Sequence, residues 1–216
     1  MGNFYSLTLD GLSLDLVSDA QMEAYLMRFR HRIFREALGW VPVSPSGMDR
    51  DEYDALSHNL AVSWRGSVVG SMRFTPGERP YMLESDFAQL LCDGDFIRKG
   101  RGSAEVSRFA VDASLPADLR AAASRLLYLG LWQWAEWNDV RWMYFVVVPG
   151  MYRRLQSLGL PVHPMGGLRP LDGGVMSMAG YFDWHAVDMD AIHSLRESVA
   201  LSDACPERWR EYDYSH

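Results

Sequence analysis

The sequence predicts an α/β (α+β) fold, in which one mixed sheet is flanked by helices and a central strand splays from its neighbour. Three observations carry this. The hydrophobicity pattern orders the chain as helix, strands, strand, long helix, strand, helix, strand, and a mixed sheet packed by helices accommodates that order best. The run Arg141 to Val148 is the most hydrophobic strand, as expected of a strand buried on both faces. Pro149-Gly150 breaks that run at once, which would let it part from its neighbour and open a cleft.

The elements follow in order. Ser18 followed by Gln21 reads as a capping box that starts a helix. Met22, Leu26, Phe29 and Ile33 recur at helical spacing, and Leu38-Gly39 is the expected stop. A polar loop runs from Val41 to about Ser57. Leu60 to Trp64 and Val68 to Phe74 read as a hairpin turning at Arg65-Gly66-Ser67. Leu83 to Leu91 suits a short helix, and Glu105 to Val111 a strand. Pro116 opens a long helix whose apolar face holds Leu119, Ala123, Leu126, Leu127, Leu131 and Trp134, with Gly130 as an expected irregularity. Met151 to Leu158 reads as a helix, Val175 to Trp184 as a strand and Asp188 to Val199 as a helix.

A chain of 216 residues, 48% apolar, suits a single domain with a real core. No internal repeat or low-complexity stretch divides it. The net charge of −7 argues against a broad nucleic-acid or anionic-membrane surface. Lys99 is the only Lys, so nearly all cations are Arg; this reads mainly as codon bias, although Arg also forms forked pairs with carboxylates that Lys cannot match. Cys92 and Cys205 read as free thiols. No stretch approaches the roughly 20 apolar residues of a membrane span. The first residues lack the basic start of a signal peptide, so a cytoplasmic protein is expected.

The informative region runs from Arg30 to Arg108. Arg30 and Phe34 share a helix face, and Trp40 follows. Asp51 and Asp54 lie in the loop, Arg73 inside one strand, Glu105 and Arg108 inside another. Charges within apolar strands require partners. The balance of Arg30, Arg73 and Arg108 against Asp51, Asp54 and Glu105 supplies them. The bland alternative is a set of solvated surface charges.

This combination, Arg30-x3-Phe34-x5-Trp40, Asp51-x2-Asp54, Arg73 and Glu105-x2-Arg108, resembles the LuxI-type autoinducer synthases. Phe87 also stands where that family has Phe. Gly39-Trp40, Arg73-Phe74-Thr75 and Ser107-Arg108-Phe109-Ala110-Val111-Asp112 are similar to the family text almost letter for letter. The resemblance covers roughly residues 20 to 160 and fades beyond Gly159.

The resemblance implies a fold of the GNAT-type N-acetyltransferase kind and a reaction. The amine of S-adenosylmethionine attacks an acyl thioester. The methionine carboxylate then closes a lactone and expels methylthioadenosine. S-adenosylmethionine is a substrate here, and no cofactor is implied. The resemblance places Arg30, Phe34, Trp40 and Phe87 around that substrate, with Asp51, Asp54 and Arg73 as the ion-pair cluster; whether Arg30 touches substrate or only the acids stays open. Acids, arginines and aromatics together match a sulfonium, an ammonium and a carboxylate. Glu105 is the candidate general base, directly or through water, with Arg108 pairing with an acid to orient it. A purely structural Glu105–Arg108 pair is the competing reading. Strand N–H groups around Phe109 to Val111 or Val146 to Val148 are candidates for the oxyanion.

The acyl pocket is expected between the central strand and its helices, at Phe145, Met143, Val147 and Leu155, with Trp142 as a further neighbour. Some family members carry Thr at the position of Phe145. An aromatic ring offers no hydroxyl, which implies unsubstituted chains or an unusual acyl group rather than 3-oxo chains. The coenzyme A loop of GNAT-type enzymes is glycine-rich, whereas Leu119 to Ser124 contains no glycine. Acyl carrier protein is therefore the expected donor, with acyl-CoA as the alternative. Arg153, Arg154, Arg120 and Arg125 are the expected basic dock, against a reading as solvated helix faces. The six His show no metal-ligand spacing, and no metal is expected. His31 reads as a helix-surface residue, and Gly166-Gly167 and Gly173-Gly174 as loop turns. Two rivals remain: a CoA-dependent N-acyltransferase of the same fold, and a non-catalytic acyl- or S-adenosylmethionine-binding module.

Overall fold

The computed structural model describes residues 6–197 and 199–201. The strands are β1 (Leu7–Leu9), β2 (Leu12–Leu16), β3 (His58–Trp64), β4 (Ser67–Pro76), β5 (Ser103–Val111), β6 (Trp142–Val147), β7 (Val162–Pro170), β8 (Met176–Asp183) and β9 (Ala200–Leu201). They form one sheet in the order β7-β8-β6-β5-β4-β3-β2-β1-β9. The helices are α1 (Ala20–Arg30), α2 (Ala117–Trp137), α3 (Pro149–Ser157) and α4 (Met189–Arg196). Every pairing in the sheet is antiparallel except β5 with β6.

That parallel pair positions the site. Its register runs from Ser103↔Trp142 to Val106↔Phe145 and then stops, although both strands continue. The cause lies in β5. Against β4, Arg73 faces Ser107 and Ser71 faces Ala110, so Arg108 and Phe109 together oppose Met72. Arg108 has φ +53, and the bulge bends β5 away from β6. The expected splay is present, but it starts at this bulge rather than at Pro149-Gly150. Those residues end β6 and open α3, with Pro in its first turn.

One face of the sheet meets α2, α3 and α4 through a core that includes Leu14, Leu60, Met72, Phe74, Met143, Phe145 and Phe182. The other face carries two smaller clusters. Leu26, Phe29 and Phe34 pack on Ala61, Val68 and Ala110. Tyr81, Leu83 and Leu90 pack on Tyr144, Met165 and Ala179. β6 is buried on both faces, as its composition predicts.

Several local expectations are corrected. The N-cap of α1 is Asp19, whose carboxylate accepts the Met22 N–H at 2.8 Å, rather than Ser18 in a capping box. α1 continues as a π-helical segment, His31–Ala37, before the expected stop, where Gly39 has φ +62. Leu83 to Leu91 is not one helix but two single 3-10 turns, Met82–Glu84 and Ala88–Leu90. Gly166-Gly167 is not a loop turn. It lies within β7, where a Cβ on Gly166 would fall on the Leu90 carbonyl. Cys205 and His216 lie outside the described residues.

Gly130 does not interrupt α2, which runs unbroken through it. A Cβ there would stand 2.4 Å from Leu14 Cδ2 and 3.3 Å from Leu60 Cδ1. The glycine thus lets α2 lie close on β2 and β3. Gly130→Val is expected to destabilise the protein by about 1–3 kcal/mol through overpacking, read as a lower urea midpoint. An unchanged midpoint would show that this contact is loose.

Candidate active site

The ion-pair cluster is assembled from the strands outward. On β4, Met72 and Phe74 point into the core, so alternation sends Arg73 to the opposite face. On β5 the bulge places two consecutive side chains, Ser107 and Arg108, toward that same face, where both engage the cluster. Arg30, the last residue of α1, descends onto it and is 0% exposed, as is Arg73.

The acids come from the loop after the π-helical segment. Asp54 Oδ1 accepts Arg30 NH1 at 2.7 Å and Arg73 NH1 at 3.1 Å. Its other oxygen accepts the Asp51 N–H at 2.8 Å, closing the Asp51–Asp54 turn. Asp51 accepts Arg73 NH1 at 2.5 Å and Arg108 NH2 at 2.9 Å. Arg73 also donates to Ser107 Oγ at 3.0 Å.

The third acid is Asp49, not Glu105. Asp49 is 0% exposed and accepts from Arg30 Nε at 3.0 Å, Arg35 Nε at 2.8 Å and Arg108 Nε at 2.8 Å. Burial pushes its carboxyl up, but the Arg108 and Arg30 guanidiniums outweigh this and hold it far below the usual carboxylate range. Burial acts on Asp54 in the same way, and Arg30 and Arg73 again prevail. Sequence reasoning missed Asp49 and Arg35. The available signal was the Asp49-Arg50-Asp51 alternation, which in an extended segment sends both carboxylates to one side.

Glu105 and Arg108 do not pair, and the structural pair weighed above is thereby excluded. The bulge turns Arg108 toward Asp49 and Asp51, while the Glu105 oxygens accept the backbone N–H groups of Met82 at 2.9 Å and Leu83 at 2.8 Å. Burial raises the Glu105 carboxyl to about 7, against the lowering effect of those two bonds.

Phe34 lies under Arg108, with the guanidinium 5.4 Å from the ring centroid, and its ring is 6.1 Å from Trp40. Trp40 is 42% exposed, so its indole forms an open rim. Phe87 belongs to the neighbouring cluster of Tyr81, Leu90 and Tyr144. The Tyr53 hydroxyl ties the turn before it to the acidic loop, at 2.7 Å from Ser85 Oγ and 2.9 Å from Asp86 Oδ2. His31 is not a surface residue. Its ring is buried, with Nε2 3.2 Å from the Ser44 backbone and Nδ1 3.1 Å from Glu36.

Met143, Phe145, Val147 and Leu155 gather on the helical face beside the splay. Trp142 does not join them. It is on the other face, with the Arg98 and Arg141 guanidiniums each 4.2 Å from its ring. Phe145 packs with Phe182 at 4.9 Å and Tyr152 at 6.4 Å between centroids. The four arginines of the expected dock separate into two kinds. Arg153 and Arg154 are exposed on α3. Arg120 and Arg125 are engaged with backbone carbonyls, Arg120 with Ala113 at 3.0 Å and Arg125 with Leu195 at 2.8 Å. They brace the loop before α2 and the end of α4 while staying at the surface, Arg120 exposed and Arg125 half-buried.

The assembly is therefore a buried arginine–aspartate cluster beside the point where β5 and β6 part, with the buried Glu105 carboxyl held on the Met82 and Leu83 N–H groups nearby. The autoinducer synthase family model matches residues 13–184. The chain belongs to the autoinducer synthase family. It is 30% identical over 158 residues to the acyl-homoserine-lactone synthase of Ralstonia nicotianae, covering 70% of this chain and 78% of that one. The family fold is equally evident. The AHL synthase LasI superposes with a TM-score of 0.75 at 23% identity, over 85% of this chain and 95% of LasI. BjaI, a CoA-dependent acyl-homoserine lactone synthase solved with SAM and isopentyl-CoA, gives 0.73 at 22% identity, over 87% of this chain and 89% of BjaI. A Lactobacillus plantarum protein of the N-acetyltransferase type gives 0.56 at 11% identity, over 81% and 99%, so the expected GNAT-type fold holds. Among the described residues no helix is long and apolar enough to cross a membrane.

Proposed function

We propose that this family member is an acyl-homoserine-lactone synthase that acylates the amine of S-adenosylmethionine from an acyl thioester and then lactonises the product. The amine nitrogen bonds to the thioester carbon, the thiol leaves, and the nitrogen loses a proton. The methionine carboxylate then attacks the carbon beside the sulfonium, and neutral methylthioadenosine departs. The observation that carries this reading is the placement of the arginine–aspartate cluster at the edge of the splayed β5–β6 pair. It brings clustered cations and anions, which match the charges of S-adenosylmethionine, next to the place where two strands part.

Arg30, Asp49, Asp51, Asp54 and Arg73 preorganise the S-adenosylmethionine side, with Phe34, Trp40 and Phe87 as its apolar walls. Arg108, 10% exposed at its side chain, turns one guanidinium edge to Asp49 and Asp51. Its remaining edge is suited to the substrate carboxylate. Glu105 accepts the amine proton, directly or through water. Where the β5–β6 ladder ends, the facing strand edges offer N–H groups to the oxyanion. Phe145, lacking a hydroxyl, favours chains unsubstituted at the third carbon.

We take acyl carrier protein as the donor. The Leu119–Ser124 segment lies in the first turns of α2 behind the cap residue Pro116, and it has no glycine loop to cradle a pyrophosphate. The likeness of fold to a CoA-dependent enzyme makes acyl-CoA the comparison to run. The test is to incubate the purified chain with S-adenosylmethionine and either donor, and to follow the lactone and methylthioadenosine by mass spectrometry. Amide formation without methylthioadenosine would instead support a simple N-acyltransferase. No turnover with either donor would support a binding module. Charge reversal of Arg153 and Arg154 together is expected to raise KM for acyl carrier protein about tenfold, as loss of a steering and docking patch does. KM for S-adenosylmethionine should stay unchanged, and an equal rise in both would remove the dock.

A further inference from the structure

The only lysine of the chain, Lys99, stands in the loop just before β5. Three acceptors surround its ammonium. It donates to the Arg79 carbonyl at 2.6 Å and to the Glu84 carboxylate at 2.7 Å, and it lies 3.2 Å from the centroid of the Tyr81 ring. A compact ammonium can serve three directions from one atom, whereas a guanidinium is a flat fork. In a chain whose other fixed cations are all Arg, this corner is suited to Lys.

All three acceptors belong to one turn. Glu84 Oε2 also accepts the Tyr81 N–H at 2.9 Å, so the carboxylate that Lys99 holds is the one that caps the Met82–Glu84 turn. Tyr81 is 0% exposed, and its hydroxyl donates to Ser103 Oγ at 3.2 Å. The turn fixed in this way presents the Met82 and Leu83 N–H groups that the Glu105 oxygens accept. The charged and titratable groups around Glu105 are Arg73 on β4, Lys99, Tyr81 with Glu84 behind it in the turn, and Tyr144, its ladder partner on β6. Arg73 is engaged by Asp51 and Asp54, so Lys99 is the cation tied to the turn that holds the carboxyl.

We propose that Lys99 is a positioning residue for the reaction: it clamps the turn from Arg79 to Glu84, and through the Met82 and Leu83 N–H groups it fixes the Glu105 carboxylate that takes the amine proton. This deepens the synthase reading and rests on it, with Glu105 as the base. Without the ammonium the turn loosens, both N–H bonds to Glu105 weaken and a neighbouring cation is lost. Each change disfavours the ionised carboxyl, so Glu105 titrates at higher pH.

The test uses the full chain with S-adenosylmethionine and butanoyl or dodecanoyl thioesters of acyl carrier protein and of coenzyme A, and follows methylthioadenosine release across pH. Lys99→Met keeps the stem and drops the charge. The rising limb of the rate, expected near pH 7 in wild type, should move to higher pH in this variant. At pH 7 its kcat should fall about tenfold, less than the 10²–10⁴-fold of losing a base outright, with KM for S-adenosylmethionine unchanged. Lys99→Arg keeps a cation that Glu84 can hold and should return the limb toward its wild-type position. Lys99→Gln, neutral but still able to donate to the Arg79 carbonyl, decides the matter if the Met variant does not fold. A lysine that only stabilised the fold would leave the limb in place, so an unmoved limb in a folded neutral variant overturns the clamp. A second readout needs no turnover: the pH at which stability falls as Glu105 ionises should move upward in the same variants. An unmoved stability profile likewise overturns the clamp. Absence of methylthioadenosine from wild type with every donor overturns the synthase reading, and the role of Lys99 in catalysis with it.

Discussion

Replacing Asp54 with Ala is expected to destabilise the protein by about 3–5 kcal/mol, the usual cost of removing one partner from a buried ion pair. Arg30 and Arg73 are both 0% exposed and share Asp54 Oδ1, so the variant leaves two enclosed guanidiniums with one carboxylate fewer. It also frees the Asp51 N–H, which loosens the turn that carries Asp51 to Arg73 and Arg108. Since a domain of this size is stable by only about 5–15 kcal/mol, the urea midpoint should fall sharply, and activity should go with it. Asp54→Asn keeps the shape and one acceptor and should recover part of the loss. The acid arm provides a second reading. Asp49 and Asp54 have folded pKa values below their unfolded ones, so their contribution is present above about pH 4 and is lost as pH falls below it. The Ala variant should therefore show a shallower acid-side loss than wild type. A variant as stable as wild type would mean that Asp49 and Asp51 alone hold the two arginines.

The parts of this cluster that were legible in the sequence are those where a charge interrupts a regular apolar pattern. Arg73 between Met72 and Phe74 announces a buried cation, because alternation fixes its face and burial demands a partner. Asp51 and Asp54 were recognisable by family pattern. Asp49 was not, because irregular loops have no period to betray which side chain turns inward. The bulge at Arg108 was equally hidden, although it sets both the splay and the partner of Arg108. Nothing in Ser107-Arg108-Phe109 distinguishes a non-glycine residue at φ +53 from plain strand. In a regular strand Glu105 and Arg108, three apart, would face opposite sides; the bulge brings Arg108 to the Glu105 face, where it turns to Asp49 and Asp51 instead. The hairpin β1–β2 carried a signal that went unread. Leu7-Thr8-Leu9 and Leu12-Ser13-Leu14 alternate around Asp10-Gly11, a strong two-residue turn. The edge strand β7 contains Pro164, Gly166 and Gly167, which argue locally for a loop. Its pairing with β8 overrides them.

Glu105→Gln should lower kcat/KM by about 10²–10⁴-fold if the carboxylate takes the amine proton, the range typical of losing a general base. The magnitude alone does not separate a base from a brace, since Glu105 also holds the Met82 and Leu83 N–H groups. Gln keeps one acceptor and turns an NH₂ toward the other donor, so some stability is lost in either case, about 1–3 kcal/mol. The pH dependence separates the roles. A base must be ionised, so the wild-type rate should climb as pH rises through about 7 and then level off. That limb should be absent from the residual rate of the Gln variant. Stability should run in the opposite direction. The folded pKa lies above the ordinary 4.5, so the protonated carboxyl's contribution is complete below that value and is lost as pH rises through about 7. Wild type should therefore become less stable over the same interval in which it becomes more active, and the Gln variant should do neither. If the variant loses only the stability trend and keeps the rate limb, Glu105 is a positioning residue for the Tyr81–Leu83 turn. The proton then leaves by another group.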